Sequence, residues 1–209
     1  MNDKINLADL QSDSAKVKYC CAKNLIAIAK GNPSSLYPHL DTFVKLLDGN
    51  NNVLKWTAII IIGNLARVDK QKKVDRLIGR LVGFLNAGKL ITANNATMAL
   101  AGIAIAKPQY QKQITKELLK VEHYEYDTDE CSNIAIGKII EAIGSYSGQL
   151  QDRKAVIEFA QRQTKNTRNA TRKKAERFLK KAKLRQLFLI GECRGAMPLC
   201  WGTGGIRQS

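Results

Sequence analysis

The chain is 209 residues long, with 34 Lys and Arg against 18 Asp and Glu and a formal net charge of +16. A fold of that length removes roughly 70% of its unfolded surface from water, so a sizeable core is available, while the opening residues hold no apolar run of signal-peptide length and no stretch reaches the ~18 apolar residues of a bilayer span. Five cysteines, odd in number and without a CxxC pair, support neither a disulfide framework nor a zinc site, so the predicted setting is the cytoplasm, with reduced thiols, no metal, no cofactor and no membrane partner.

A short amphipathic stretch near "INLADLQ" opens the chain and leads into "VKYCCAKNLIAIAK" from Val17, where Cys21 precedes Leu25 by four residues. That spacing keeps both side chains on one face of a helix. Gly31-Asn32-Pro33 then stops the helix, and "SLYPHLDTFVKLL" supplies a second amphipathic segment. "LKWTAIIIIGNLAR" from Leu54 repeats the small-to-large pair with Ala58 and Ile62, and "KKVDRLIGRLVGFL" follows with Val74, Leu77, Ile78, Leu81, Val82 and Leu85 at helical spacing. The same alternation continues through Ala96 and Leu100, stopped by Lys107-Pro108, then "QKQITKELLKV", Ile139 and Ile143, "DRKAVIEFAQRQ", and finally Ala175 and Leu179.

The aliphatic anchors lie 37, 38, 43 and 36 residues apart, so one unit of two antiparallel helices is copied about five times. Such a hairpin buries its faces only against its neighbours, and the predicted fold is an all-α superhelix, a solenoid. Ser12 to Ser14, Asn50 to Asn52, Asp127 to Asp129 and Thr164 to Thr167 offer N-cap oxygens before the anchor helices. Ile59 to Ile62 fit this scheme, because the second helix of a middle unit is dry on three sides; a strand would suit isoleucine, but the equivalent segments are rich in Ala, Lys and Asn.

The run "HLDTFVKLLDGNNNVLKWTAIIIIGNLA" resembles the HEAT repeat, with Leu46 and Leu47 in the first helix, Asp48 at the turn, the pair Leu54 and Lys55, then Ala58 and Ile62-Gly63 in the second. Similar pairs at Val17/Lys18 and Thr171/Arg172 extend the resemblance over about residues 4 to 184. Ala93 and Ile136 stand where the pattern has a basic residue, which breaks any charge ladder in the middle. The resemblance implies that the second helices line a concave surface, and it does not fix a function, since such repeats serve scaffolds, transport receptors and a few enzymes.

On that surface the basic row reads Lys18, Lys55, Ala93, Ile136 and Arg172, the next row Tyr19, Trp56, Asn94, Gly137 and Lys173, and a third Ala27, Asn64, Gly102, Ser145 and Lys181. Arg67 adds a cation, and Trp56 and Tyr19 read as packing residues before base-stacking platforms. Glu141 is the one acid in an apolar anchor helix; with Lys138 three residues earlier it reads as a paired surface carboxylate before a tuned one.

Charge is uneven along the chain: residues 1–30 carry +2, 31–90 carry +5, 91–150 carry −2 and 151–209 carry +11. "VEHYEYDTDE", residues 121 to 130, reads as a solvated acidic loop between repeats, with a docking site for a basic partner as the sharper alternative; it lacks the glycine-centred pattern of a calcium loop. Residues 162–185 read as a basic helix that caps the array, giving a repeat domain over 1–185. The Gly-rich stretch 186–209 reads as an irregular tail foreign to the repeats, and its "GTGG" has no strand before it or helix after it to make a phosphate loop.

The two histidines, His39 and His123, fall far apart in the repeat register, and no catalytic motif is present. The expected function is therefore a non-enzymatic scaffold that binds a protein partner along its concave surface, with no small-molecule ligand evident. Nucleic-acid binding through Lys18, Lys55, Arg67 and the 162–185 helix is the alternative. A similarity to HEAT-like alkylpurine DNA glycosylases comes third, because beyond Trp56 no aromatic and carboxylate cluster matches theirs, and one to HEAT-like bilin lyases is weaker, as nothing in the sequence suggests pigment.

Overall fold

A computed structural model describes residues 5–150 and 153–190, with side chains to residue 183. Ahead of the first helix, among the described residues, the chain makes a single 3-10 turn, Ala8–Gln11. α1 (Ala15–Gly31) starts where the Ser14 hydroxyl accepts from the Val17 amide, and Pro33 opens the short α2 (Pro33–Leu36) directly after it. α3 (Leu40–Leu46) leads to α4 (Asn52–Leu65), whose Leu54 amide donates to the Asn51 side chain at 3.1 Å. α5 (Ile78–Gly83) and α6 (Leu90–Ala106) form the third hairpin, and Lys107-Pro108 ends α6. α7 (Gln111–Leu119) precedes α8 (Asp129–Tyr146), capped by the Thr128 hydroxyl on the Cys131 amide; α9 (Arg153–Gln163) and α10 (Asn169–Ile190) complete the series. Three predicted caps thus satisfy an orphan amide each, worth about 1 kcal/mol apiece.

The basic run 162–185 is not one helix, as the sequence reading had it. α9 ends at Gln163, and the chain turns through residues 164–168, where the Arg168 amide donates to the Asn166 side chain and Arg172 Nη1 donates to the Asn166 and Thr167 carbonyls. Those polar side chains satisfy the backbone better outside a helix than within one. α10 then runs to Ile190, past the predicted boundary at 185, and the Gly-rich residues 191–209 lie outside the described residues.

The architecture is an all-α solenoid. α1, α4, α6, α8 and α10 stack side by side as inner helices, while α3, α5, α7 and α9 pack behind them as outer ones. The anchors Leu25, Ile62, Leu100 and Ile143 are at most 2% exposed, and one continuous core runs from Leu10 to Phe178. Within the isoleucine quartet Ile59, Ile61 and Ile62 are wholly buried, whereas Ile60 is half-buried on the remaining side of α4. Each buried isoleucine contributes about 1.5–3 kcal/mol over an exposed one, and most of that is realised against a neighbouring hairpin.

α4 and α6 approach each other through small residues. A Cβ on Gly63 would lie 2.6 Å from Ala99 Cα and 2.8 Å from its Cβ, and one on Gly102 would lie 3.3 Å from the Gly63 carbonyl oxygen. At the loop ends of the same hairpins sits a buried charge network. Lys107 Nζ lies 2.9 Å from Asp69 Oδ2 and 2.5 Å from Asp75 Oδ1; Tyr37 donates to Asp69, Tyr110 donates to Asp75, and the Lys73 and Val74 amides close on Asp69. Burial alone would raise the Asp69 pKa, but the Tyr37 hydroxyl and the Lys107 ammonium hold it below its ordinary 3.8; burial would lower that of Lys107, but Asp75 and Asp69 hold it above its ordinary 10.5.

Two predictions follow from these contacts. Gly63→Ala forces α4 and α6 apart and lowers stability by about 1–3 kcal/mol; Gly79→Ala in α5, with nothing within 4 Å of the new methyl, raises it by up to about 1 kcal/mol, so melting curves of the two variants move in opposite directions. Asp69→Asn leaves Lys107 underpaired at a cost of about 3 kcal/mol. Because the Asp69 pKa is depressed in the fold, its contribution is fully present above 3.8 and vanishes as pH falls through the folded value. The stability gap between wild type and Asp69→Asn is therefore constant from pH 5 to 9 and closes in acid, as urea titrations at a series of pH values will show.

Candidate functional site

The stack leaves each inner helix one open side. α4 meets α1, α6 and α3; α6 meets α4, α8 and α5. The residues left accessible recur every seven positions, because seven residues return to nearly the same side of a helix. On α6 they are Ile91, Met98 and Ile105, exposed by 54%, 39% and 47%, a straight apolar stripe about 21 Å long at 1.5 Å per residue. On α4 and the 3-10 turn that follows it the same rows hold Val53, 37% exposed, then half-buried Ile60 and exposed Arg67. On α1 they hold Lys16, Lys23 and Lys30, all exposed, and on the far side Ile134 and Glu141 on α8 and Ala170 and Arg177 on α10.

The residues predicted from sequence fall around this surface unevenly. Tyr19 is 39% exposed and its hydroxyl accepts from Asn51; half-buried Trp56 donates its indole N–H to Thr92 at 2.9 Å, so it bridges α4 and α6. Lys18 and Lys55 are half-buried, in a row whose middle members Ala93 and Ile136 are 1% and 8% exposed, which sets that row between repeats. Asn64 donates to the Ile60 carbonyl, and Asn94 keeps its Oδ1 shut from solvent with no hydrogen-bond partner among the described residues. Arg67 donates to the Ala29 and Lys30 carbonyls, where it caps the C-terminus of α1. Half-buried Arg172 is engaged by the turn before α10, while Lys173 is exposed.

Glu141 sits between two cations: Lys174 Nζ of α10 at 3.0 Å and Lys138 Nζ of its own helix at 3.3 Å. Lys174 above all, then Lys138 against an opposing effect of burial, holds its carboxyl below the ordinary 4.5. This is a paired carboxylate that neutralises part of a basic flank, and it joins α8 to α10.

The acidic segment 121–130 is partly spent within the chain. Glu122 receives Arg162 and Gln163, and Glu130 receives Arg168, so the basic residues around the last turn lean on it. Tyr126 donates to the Leu85 carbonyl at 2.7 Å and ties the segment back to the third hairpin. The stripe of Ile91, Met98 and Ile105 escaped the sequence reading because α6 is apolar on all its sides, so an exposed isoleucine looks the same as a buried one; the seven-residue recurrence shared with Val53 and Ile60 was the available signal. Among the described residues no group of three His, Cys, Asp or Glu side chains is placed to hold a metal ion, and no helix is long and apolar enough to cross a membrane.

No family profile matches the chain. Over 95 residues it is 26% identical to the bilin biosynthesis protein CpeZ of Synechococcus sp. (strain WH8020), a match that takes in 44% of this chain and 50% of that protein. The chain thus spans about half the length of the curated relative it matches. In fold it is similar to the crystal structure of an engineered protein, with a TM-score of 0.50 and 23% identity, covering 85% of this chain and 77% of the other. A designed armadillo repeat protein aligns at a TM-score of 0.32 and 18% identity, over 83% of this chain and 96% of its own.

The pairing of Glu141 gives a direct check on this surface. A carboxyl NMR titration is expected to place the Glu141 midpoint below its ordinary 4.5, with Lys174→Ala moving it up towards that value further than Lys138→Ala does.

Proposed function

We propose that this chain is a HEAT-type repeat adaptor without catalytic activity, and that it seats a protein segment across the open side of its inner helices. The observation that carries this reading is the apolar stripe of Ile91, Met98 and Ile105 on a helix whose other sides are covered. A contiguous apolar strip rimmed by polar groups is costly to leave in water and marks a protein-docking surface. The HEAT assignment is supported by the turn residue Asp48, which pairs with Arg80 of the next hairpin, and by the small residues at the approach of α4 and α6.

Nucleic-acid binding is the second reading, favoured by Lys16, Lys23 and Lys30 on one helix. A phosphate backbone laid along the whole surface would cross the aliphatic centre, where it gains nothing. A glycosylase pocket is less favoured still, since the Trp56 indole is bonded to Thr92 and Glu141 is held by two lysines. The likeness to a bilin biosynthesis protein makes proteins that carry or receive bilins the first partners to try.

A photo-crosslinking residue placed at Asn95, on the open side, is expected to capture a discrete protein from native lysate that one at Lys116, on outer helix α7, does not. Adding Ile105→Asp to the Asn95 probe is expected to cut that capture about tenfold, the equivalent of roughly 1.4 kcal/mol. Equal capture from both positions, or adducts with nucleic acid alone, would overturn the reading.

A further inference from the structure

The charge along the open side is not uniform, and its order selects a partner. Taken across the stack, the middle helices α4 and α6 present Val53, Ile60, Ile91, Met98 and Ile105, together with the uncharged Asn64, Asn95 and Gly102. Outside them, α1 presents Lys16, Lys23 and Lys30, and the α8–α10 end presents Lys138, Lys174, Arg177 and Lys181 against Glu141. Arg67 stands at the inner border of the first cluster. The arrangement is cation, apolar, cation. Acids thin this charge without reversing it: Glu141 is shared by two lysines, Glu130 is paired with Arg168, Asp9 lies beside Lys16, and exposed Asp127 lies beside Ile91.

We infer that the docked segment is a linear stretch of protein with apolar residues at its centre and acidic residues at both ends. This rests on the reading of the open side as the docking surface. Its length follows from the stack: four steps of about 8–10 Å between neighbouring inner helices span roughly 32–40 Å, which an extended chain covers with about 10–12 residues. The apolar centre supplies the burial, and the two acidic ends meet exposed lysines and arginines, whose exposed pairing adds modest affinity and fixes register. A segment with basic ends meets like charge at both flanks and is rejected.

The experiment uses the full chain and three labelled peptides of about 15 residues, long enough to span the stack. One has acidic ends and an apolar centre; the second has the same composition with the acids central and the apolar residues at the ends; the third replaces the acids of the first by lysine. A single-stranded oligonucleotide of equal length is the fourth probe. Anisotropy titrations are expected to give the acid-ended peptide at least about tenfold tighter binding than any other probe, weakening severalfold between low and physiological salt as surface charges are screened. Lys23→Glu combined with Arg177→Glu, both exposed, is expected to abolish its advantage over the rearranged peptide while the melting temperature stays put, and Met98→Gln is expected to weaken both peptides alike.

If the acid-ended peptide does not bind, or the rearranged, lysine-ended or nucleic-acid probe binds as well, the inference falls. Should Asn95 crosslinking still capture a protein whose attached segment lacks acidic ends, the docking surface survives and only its stated chemistry is lost. Absence of both peptide binding and crosslinking removes the two together.

Discussion

Everything in this fold depends on one constraint: a two-helix hairpin is too thin to keep its own apolar face out of water. Ile59, Ile61 and Ile62 of α4 reach zero exposure because α1, α3 and α6 each close one side of the helix. The closest of these approaches is made by subtraction, where Gly63 meets Ala99 and Gly102 and backbone lies almost on backbone. Stability in such an array is a sum over neighbour interfaces with no single centre, so the glycine of α4 and the alanine of α6 matter more than their size suggests.

The same constraint decides where function can sit. Three sides of an inner helix are used up by packing and cannot vary without loss, so only the fourth is free to serve a ligand. That side recurs every seven residues, and the array converts this recurrence into rows that cross the stack. Polar groups outside those rows are mostly occupied by structure. Arg172 holds the turn before its own helix, and the Trp56 indole joins α4 to Thr92 of α6; even within the rows, Arg67 finishes α1 through the Ala29 and Lys30 carbonyls. The groups left exposed on that side are the aliphatic side chains at the centre, the lysines of α1 at one end, and Arg177 and Lys181 of α10 at the other.

Helical hairpins, their number and most of their boundaries were legible in the sequence because each rests on local rules: a cap oxygen such as Asn51, a stop such as Lys107-Pro108, and a four-residue spacing such as Ala58 to Ile62. The candidate surface was legible only in part. Rows chosen from the HEAT resemblance picked out Lys18 and Lys55, whereas the open row lies two residues earlier on each helix, at Lys16 and Val53. Nothing local separates Ile103, fully buried, from Ile105, 47% exposed, since both stand in an unbroken apolar run. The network of Asp69, Asp75 and Lys107 is hidden for another reason: its partners are up to 38 residues apart, and no short motif announces them. The basic run 162–185 misled because composition carries no sign of a turn that polar side chains such as Asn166 can support.

That network also limits how the array can evolve in length. It draws Tyr37 from the second hairpin, Asp69 and Asp75 from the segment that begins the third, and Lys107 and Tyr110 from the start of the fourth. Excising or duplicating the third unit would strand a lysine or a carboxylate in a dry place, so recombination there is penalised at once. At the two extremities no comparable lock exists among the described residues. Among the described hairpins it is therefore the third whose loss or duplication would cost most.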